Sequence, residues 1–82
     1  MSTSLYVSNL AFSTTEDMLV GRFSEFGTVL SVKLRRDLQT GALHCHGLVK
    51  MRTTAEAHAA AARLNATRLD GRLVSVHRAT HG

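Results

Sequence analysis

His44-Cys45-His46-Gly47-Leu48-Val49-Lys50-Met51, near the middle of the chain, decides how the rest is read. Successive side chains of a β-strand point to opposite faces. Here Cys45, Gly47, Val49 and Met51 are small or apolar, and they alternate with His44, His46, Leu48 and Lys50. One face is expected to meet a core and the other to meet solvent. Just beyond, Thr53 and Glu56 stand at the spacing of a capping box, opening an alanine-rich helix expected over Ala55 to Asn65. Ala57, Ala60, Ala61 and Leu64 form its packing face, with side chains small enough to let the helix lie close to a sheet. Asp70-Gly71 signals a tight turn, and Leu73 to Arg78 reads as a further strand.

Toward the amino terminus, Asp37-Leu38-Gln39-Thr40-Gly41 has the chemistry of a turn. Val29 to Arg36 is a strand in which Val32 and Leu34 alternate with Lys33 and Arg35. Before it, Leu19, Phe23 and Phe26 recur at spacings of four and three, on one helical face. Thr14 and Thr15 are N-cap candidates for that helix, with Glu16 and Asp17 in the first turn where the helix dipole favours negative charge. Gly27 is expected to end it. Ser4-Leu5-Tyr6-Val7-Ser8 alternates again and is the first strand. The order is βαββαβ. Right-handed crossovers then put both helices on the same face of the sheet. The expected fold is α+β: a ferredoxin-like sandwich with a four-stranded antiparallel sheet, two helices on one face, and one domain over residues 3–80.

Composition narrows the function. The chain has 82 residues, 44% of them hydrophobic and 20% charged, which suits one small folded domain and leaves no room for a second core. Ten Lys and Arg against six Asp and Glu give a net charge of +4, and a basic excess favours a polyanionic partner. No stretch approaches a membrane span and the start has no signal-peptide pattern. The single cysteine, Cys45, excludes an internal disulfide and suits an intracellular compartment, nucleus or cytoplasm.

The segments also carry a resemblance. Leu5-Tyr6-Val7-Ser8-Asn9-Leu10 is similar to the first-strand hexapeptide of the RNA recognition motif family, with its aromatic at Tyr6. Phe23-Ser24-Glu25-Phe26-Gly27, Arg36-Asp37 with Thr40-Gly41, Leu64-Asn65 and Leu69-Asp70-Gly71-Arg72 follow in the family's order and spacing. The third-strand octapeptide normally reads basic, Gly, aromatic, Gly or Ala, Phe, Val, any, aromatic. His44 to Met51 resembles it at Gly47 and Val49 but has His46, Leu48 and Met51 where the family has rings. The resemblance implies a spatial strand order of fourth, first, third, second, with Tyr6 beside the strand of His46 and Leu48.

It also implies a binding mode in which bases stack on flat side chains of the open face while cations hold phosphates. The expected RNA-binding residues are Tyr6, Lys33, Arg35, His44, His46, Leu48, Lys50, His77 and Arg78, giving modest affinity and selectivity for single-stranded RNA. The alternative is a protein-interaction module of the same fold, using the helical face, for which Met18, Val20 and Leu30 are the candidate apolar cluster. A monomer is expected, with no membrane partner and no cofactor. A metal site is not expected either. His44 and His46 point away from Cys45, and His77 lies about 10 Å from His46 across two strand spacings, too far to share an ion. Catalysis is not expected, since Cys45 faces the core with no base beside it and no carboxylate pair is set on the open face. Arg63, Arg68 and Arg72 read most simply as a solvated edge.

Overall fold

The computed structural model describes residues 3–37 and 44–79. The chain runs β1 (Ser4–Leu10), α1 (Glu16–Phe23), β2 (Val29–Asp37), β3 (His44–Met51), α2 (Thr54–Leu64), β4 (Thr67–Leu69) and β5 (Arg72–Arg78). The sheet order is β2-β3-β1-β5-β4, with every neighbouring pair antiparallel. Most of the expected turn at residues 37–41, including Thr40-Gly41, lies outside the described residues.

Alternation builds the core. Leu5, Val7, Cys45, Val49, Met51, Val74 and Val76 project from one face of the sheet and are buried. Leu19 and Phe23 of α1 and Ala57, Ala60 and Leu64 of α2 pack against that same face, so both helices lie on one side. Ala61 and Phe26 close the margin, partly buried. Burial of these apolar groups supplies most of the stabilisation of a domain this small.

Local signals place the helix starts. Thr15 is the N-cap of α1 and its side chain accepts from Met18 N–H at 3.2 Å. Thr53 and Glu56 form a reciprocal capping box, in which Thr53 Oγ1 accepts from Glu56 N–H at 3.1 Å and Glu56 Oε1 accepts from Thr53 N–H at 3.2 Å. The helix ends are set differently from expectation. α1 stops at Phe23 with Ser24 as its cap, so Gly27 lies beyond it. The requirement at Gly27 is steric: a Cβ there would stand 2.5 Å from Cγ and Cδ and 2.6 Å from Cβ of Glu56. The glycine thus lets the capping-box glutamate lie flat across the entry to β2, where its Oε2 also accepts from Thr28 N–H at 3.3 Å. Asn65 follows α2 in extended geometry, and its side-chain oxygen accepts from Val76 N–H at 3.0 Å, tying the helix end to β5.

The sheet has five strands where four were expected. Asp70 (φ 51°) and Gly71 (φ 85°) form a two-residue turn with both residues at positive φ, whose twist matches a hairpin. The turn therefore pairs Thr67–Leu69 with the start of β5, Leu69 opposite Arg72 and Thr67 opposite Val74. Three residues are too few for alternation to be legible in sequence, so the turn signal was visible but its upstream strand was not.

Candidate nucleic-acid interface

The face opposite the helices is formed by the other half of each strand's side chains. Strand register aligns Lys33, Leu48, Tyr6 and His77 in one row across β2, β3, β1 and β5. Arg35 and His46 pair in the row on one side, with Ser8 and Ser75 paired further along. Ser31, Lys50 and Ser4 make the row on the other side. All the open-face cations of these rows sit on β2 and β3, while β1 and β5 supply Tyr6, His77 and small hydroxyls.

Tyr6 is the centre of this surface. Its side chain is 41% exposed, and its ring stacks on that of His46 with centroids 5.6 Å apart and planes inclined by 28°. His46 is half-buried against it. Tyr6, Lys33, Arg35, His46, Gly47 and Leu48 enclose a shallow depression of about 290 Å³. Gly47 makes the floor thin for a reason on the other face: a Cβ would lie 3.2 Å from Leu19 Cδ1 and 3.3 Å from the Lys33 carbonyl. A second depression of about 350 Å³ lies at the start of α1 and is lined by Thr15, Glu16, Asp17 and Leu34. Its carboxylates repel anions, so the two hollows differ in the charge they would accept.

The strand next to His46 carries a distortion. Val7 pairs with Gly47, but Leu10 pairs with Cys45, so Ser8 and Asn9 together oppose His46 in a β-bulge. Asn9 is left-handed at φ 64°, a conformation that asparagine tolerates better than most residues. Arg72 holds it there, donating to Asn9 Oδ1 at 2.8 Å and to its carbonyl at 3.3 Å. Asn9 Nδ2 in turn donates to the Leu73 carbonyl at 2.7 Å. The sequence pattern assigns Asn9 and Arg72 no role beyond motif membership, and by itself marks Arg72 as part of a solvated edge. The available signal was the asparagine itself, a left-handed former directly after the Ser4 to Ser8 alternation, where a loop is expected and β1 instead runs on to Leu10.

Most of the expected site residues converge. Tyr6, Lys33, Arg35, Leu48, Lys50 and His77 are exposed on the open face and His46 is stacked among them. His44 stands at the start of β3 opposite Asp37, and its side chain lies outside what is described. Arg78 is a correction. It pairs with Leu5, and directly opposed residues share a face, so its side chain leaves on the side of the buried Leu5 and away from Tyr6. Arg78 is one residue past His77, and a single step along a strand reverses the face.

An antiparallel sheet with helices on one side and a stacked, cation-flanked ring pair on the other defines a class of platform domain. The model of the RNA recognition motif matches residues 5–75. The chain belongs to the RNA recognition motif family. It is 40% identical over 79 residues to glycine-rich RNA-binding protein 1 of Mycosarcoma maydis, covering 96% of this chain and 45% of that protein. Among solved structures, the first two such domains of a yeast poly(U)-binding protein superpose with a TM-score of 0.88 at 25% identity, over 96% of this chain and 47% of that one. A Sex-lethal protein–RNA complex superposes with a TM-score of 0.81 at 32% identity, over 94% of this chain and 47% of that one. The chain thus spans about half the length of these relatives.

Proposed function

We propose that the open face binds single-stranded RNA, with bases stacked on Tyr6 and His46 and phosphates met by Lys33, Arg35 and Lys50. The observation that carries this reading is the stacked pair of the exposed Tyr6 ring and the half-buried His46 ring inside a depression walled by Lys33 and Arg35. Unpaired bases stack on such rings whatever their identity, while cations held nearby neutralise the backbone. The RNA bound in the related Sex-lethal complex supports the assignment. The distribution of apolar surface supports it too. Of the large hydrophobic residues exposed among the described residues, Tyr6 and Leu48 lie on the open face, whereas Val20 is the only one within either helix.

Titrating a mixed-sequence single-stranded RNA into isotope-labelled protein at low salt tests the proposal. Amide signals of β1 and β3 around Tyr6, His46 and Leu48 should move while those of α1 and α2 stay in place. Movement confined to the helices would replace RNA with a different partner.

Affinity is modest in this reading because the platform has one phenol and one imidazole, and Leu48 offers no ring. Leu48 is 39% exposed and lies directly opposite Tyr6, where an aromatic side chain would face the same solvent. Leu48→Phe should therefore tighten binding. One added base stack is worth about 1–3 kcal/mol, or roughly five- to 150-fold in Kd. Fluorescence anisotropy with a labelled oligoribonucleotide measures it, and an unchanged Kd would mean that no base reaches this position.

A further inference from the structure

The hairpin that sequence reading missed adds surface to the open face. β4 pairs with β5 so that Arg68 stands opposite Leu73. Leu73, Ser75 and His77 alternate with the buried Val74 and Val76, so they share the face of Tyr6, and Arg68 shares it through its pairing with Leu73. Leu73 is 56% exposed, and Arg68 is exposed beside it. An aliphatic side chain next to a guanidinium, at the end of a cation-flanked platform, offers one nucleotide both an apolar surface and a phosphate partner.

The backbone under this pair is already fixed. Asn9 Nδ2 donates to the Leu73 carbonyl at 2.7 Å, and a guanidinium N–H of Arg22 donates to the Arg68 carbonyl at 3.0 Å. Thr67 Oγ1 donates to the Leu64 carbonyl at 2.6 Å, fastening the start of β4 to the end of α2. Side chains from α1 and from β4 itself thus fasten a strand of only three residues, and one from β1 fastens its partner β5, leaving the Arg68 and Leu73 side chains to face solvent. A contact surface ordered before its ligand arrives avoids part of the ordering cost of binding.

We infer that Arg68 and Leu73 form an outlying subsite for the same RNA strand that lies on Tyr6, reached only by longer oligonucleotides. The inference rests on the RNA-binding reading of the open face. Leu73 is four residues from His77 along β5, about 14 Å at the rise of a strand, so an RNA that just covers the Tyr6 row does not extend to it. Continuity of the face and the charge of Arg68 favour a polyanion over a neutral partner.

The test compares mixed-sequence single-stranded RNAs of four and ten nucleotides against the wild-type chain, Tyr6→Ala, and the double variant Arg68→Gln, Leu73→Ser. The double variant should bind the ten-mer roughly three- to tenfold more weakly than wild type, with the slope of log K against log salt shallower by about 0.7, the value for one phosphate contact on a single strand. Its affinity for the four-mer should be unchanged. In the wild-type protein, the Leu73 methyl resonances should shift with the ten-mer and stay fixed with the four-mer, a readout independent of how well any variant folds. Equal affinities of wild type and double variant for the ten-mer, or Leu73 methyls that do not respond to it, would overturn the subsite and leave the platform standing. An equal loss for both lengths would also overturn it, since the residues would then act on the platform itself. If Tyr6→Ala binds both RNAs as wild type does, or if wild type binds neither, the platform reading fails and the subsite falls with it.

Discussion

Tyr6→Ala is expected to weaken single-stranded RNA binding by roughly five- to 150-fold, the loss of one base stack worth about 1–3 kcal/mol. The fold should survive. Tyr6 is held in the sheet by backbone pairing to Leu48 on one side and His77 on the other, and those ladders do not depend on its ring. Its side chain lies outside the buried core, so truncation opens no cavity. The effect extends to the neighbour, because His46 loses the ring it stacks on and with it the surface that fixes its orientation. Isothermal titration with a short oligoribonucleotide, together with a thermal melt, separates the two consequences. A protein that melts as wild type does and binds more weakly matches the expectation. Wild-type binding by Tyr6→Ala would remove the tyrosine from the interface.

Phe23→Ala should have the opposite profile, damaging the fold and binding only through it. Phe23 heads the fully buried side chains by volume and is 1% exposed on the sheet-facing side of α1. Removing a buried phenyl ring costs about 3–5 kcal/mol, the lost transfer free energy plus the cavity left behind. At about 0.05–0.15 kcal/mol per residue, a domain of 82 residues has roughly 4–12 kcal/mol in total. The substitution thus consumes about a quarter or more of the margin, and at the lower end most or all of it. Urea denaturation should show a midpoint moved far down with little change in slope. Val20, three residues earlier on the same helix but exposed, gives the contrast: Val20→Ser should shift stability by no more than about 0.5 kcal/mol. A Phe23→Ala midpoint close to that of Val20→Ser would mean that α1 does not pack as described.

The halves of the strand pattern were legible because alternation is local. Cys45, Gly47, Val49 and Met51 are buried, and Leu48 and Lys50 are exposed, as a period of two requires. Thr53 and Glu56 likewise needed only each other, three residues apart, to declare the start of α2. Gly27 shows where local reading stops. Its position suggested a helix end, but its neighbour in space is Glu56, 29 positions on, and the reason for a glycine is the room that glutamate needs. Asn9 and Arg72 are 63 positions apart, and nothing within either segment states that they meet.

For the interface, sequence alone determined the four longer strands and which of their faces is polar, and so that Tyr6, Lys33 and Arg35 would each lie on a polar face, since each of these follows from spacing within one segment. Tertiary structure decided the rest: the stacking of Tyr6 on His46, the bulge opposite His46, and the addition of Arg68 beside Leu73 through β4. These depend on register between strands, which is set by turns, bulges and long-range hydrogen bonds, and a shift of one residue in register exchanges every side chain between the faces.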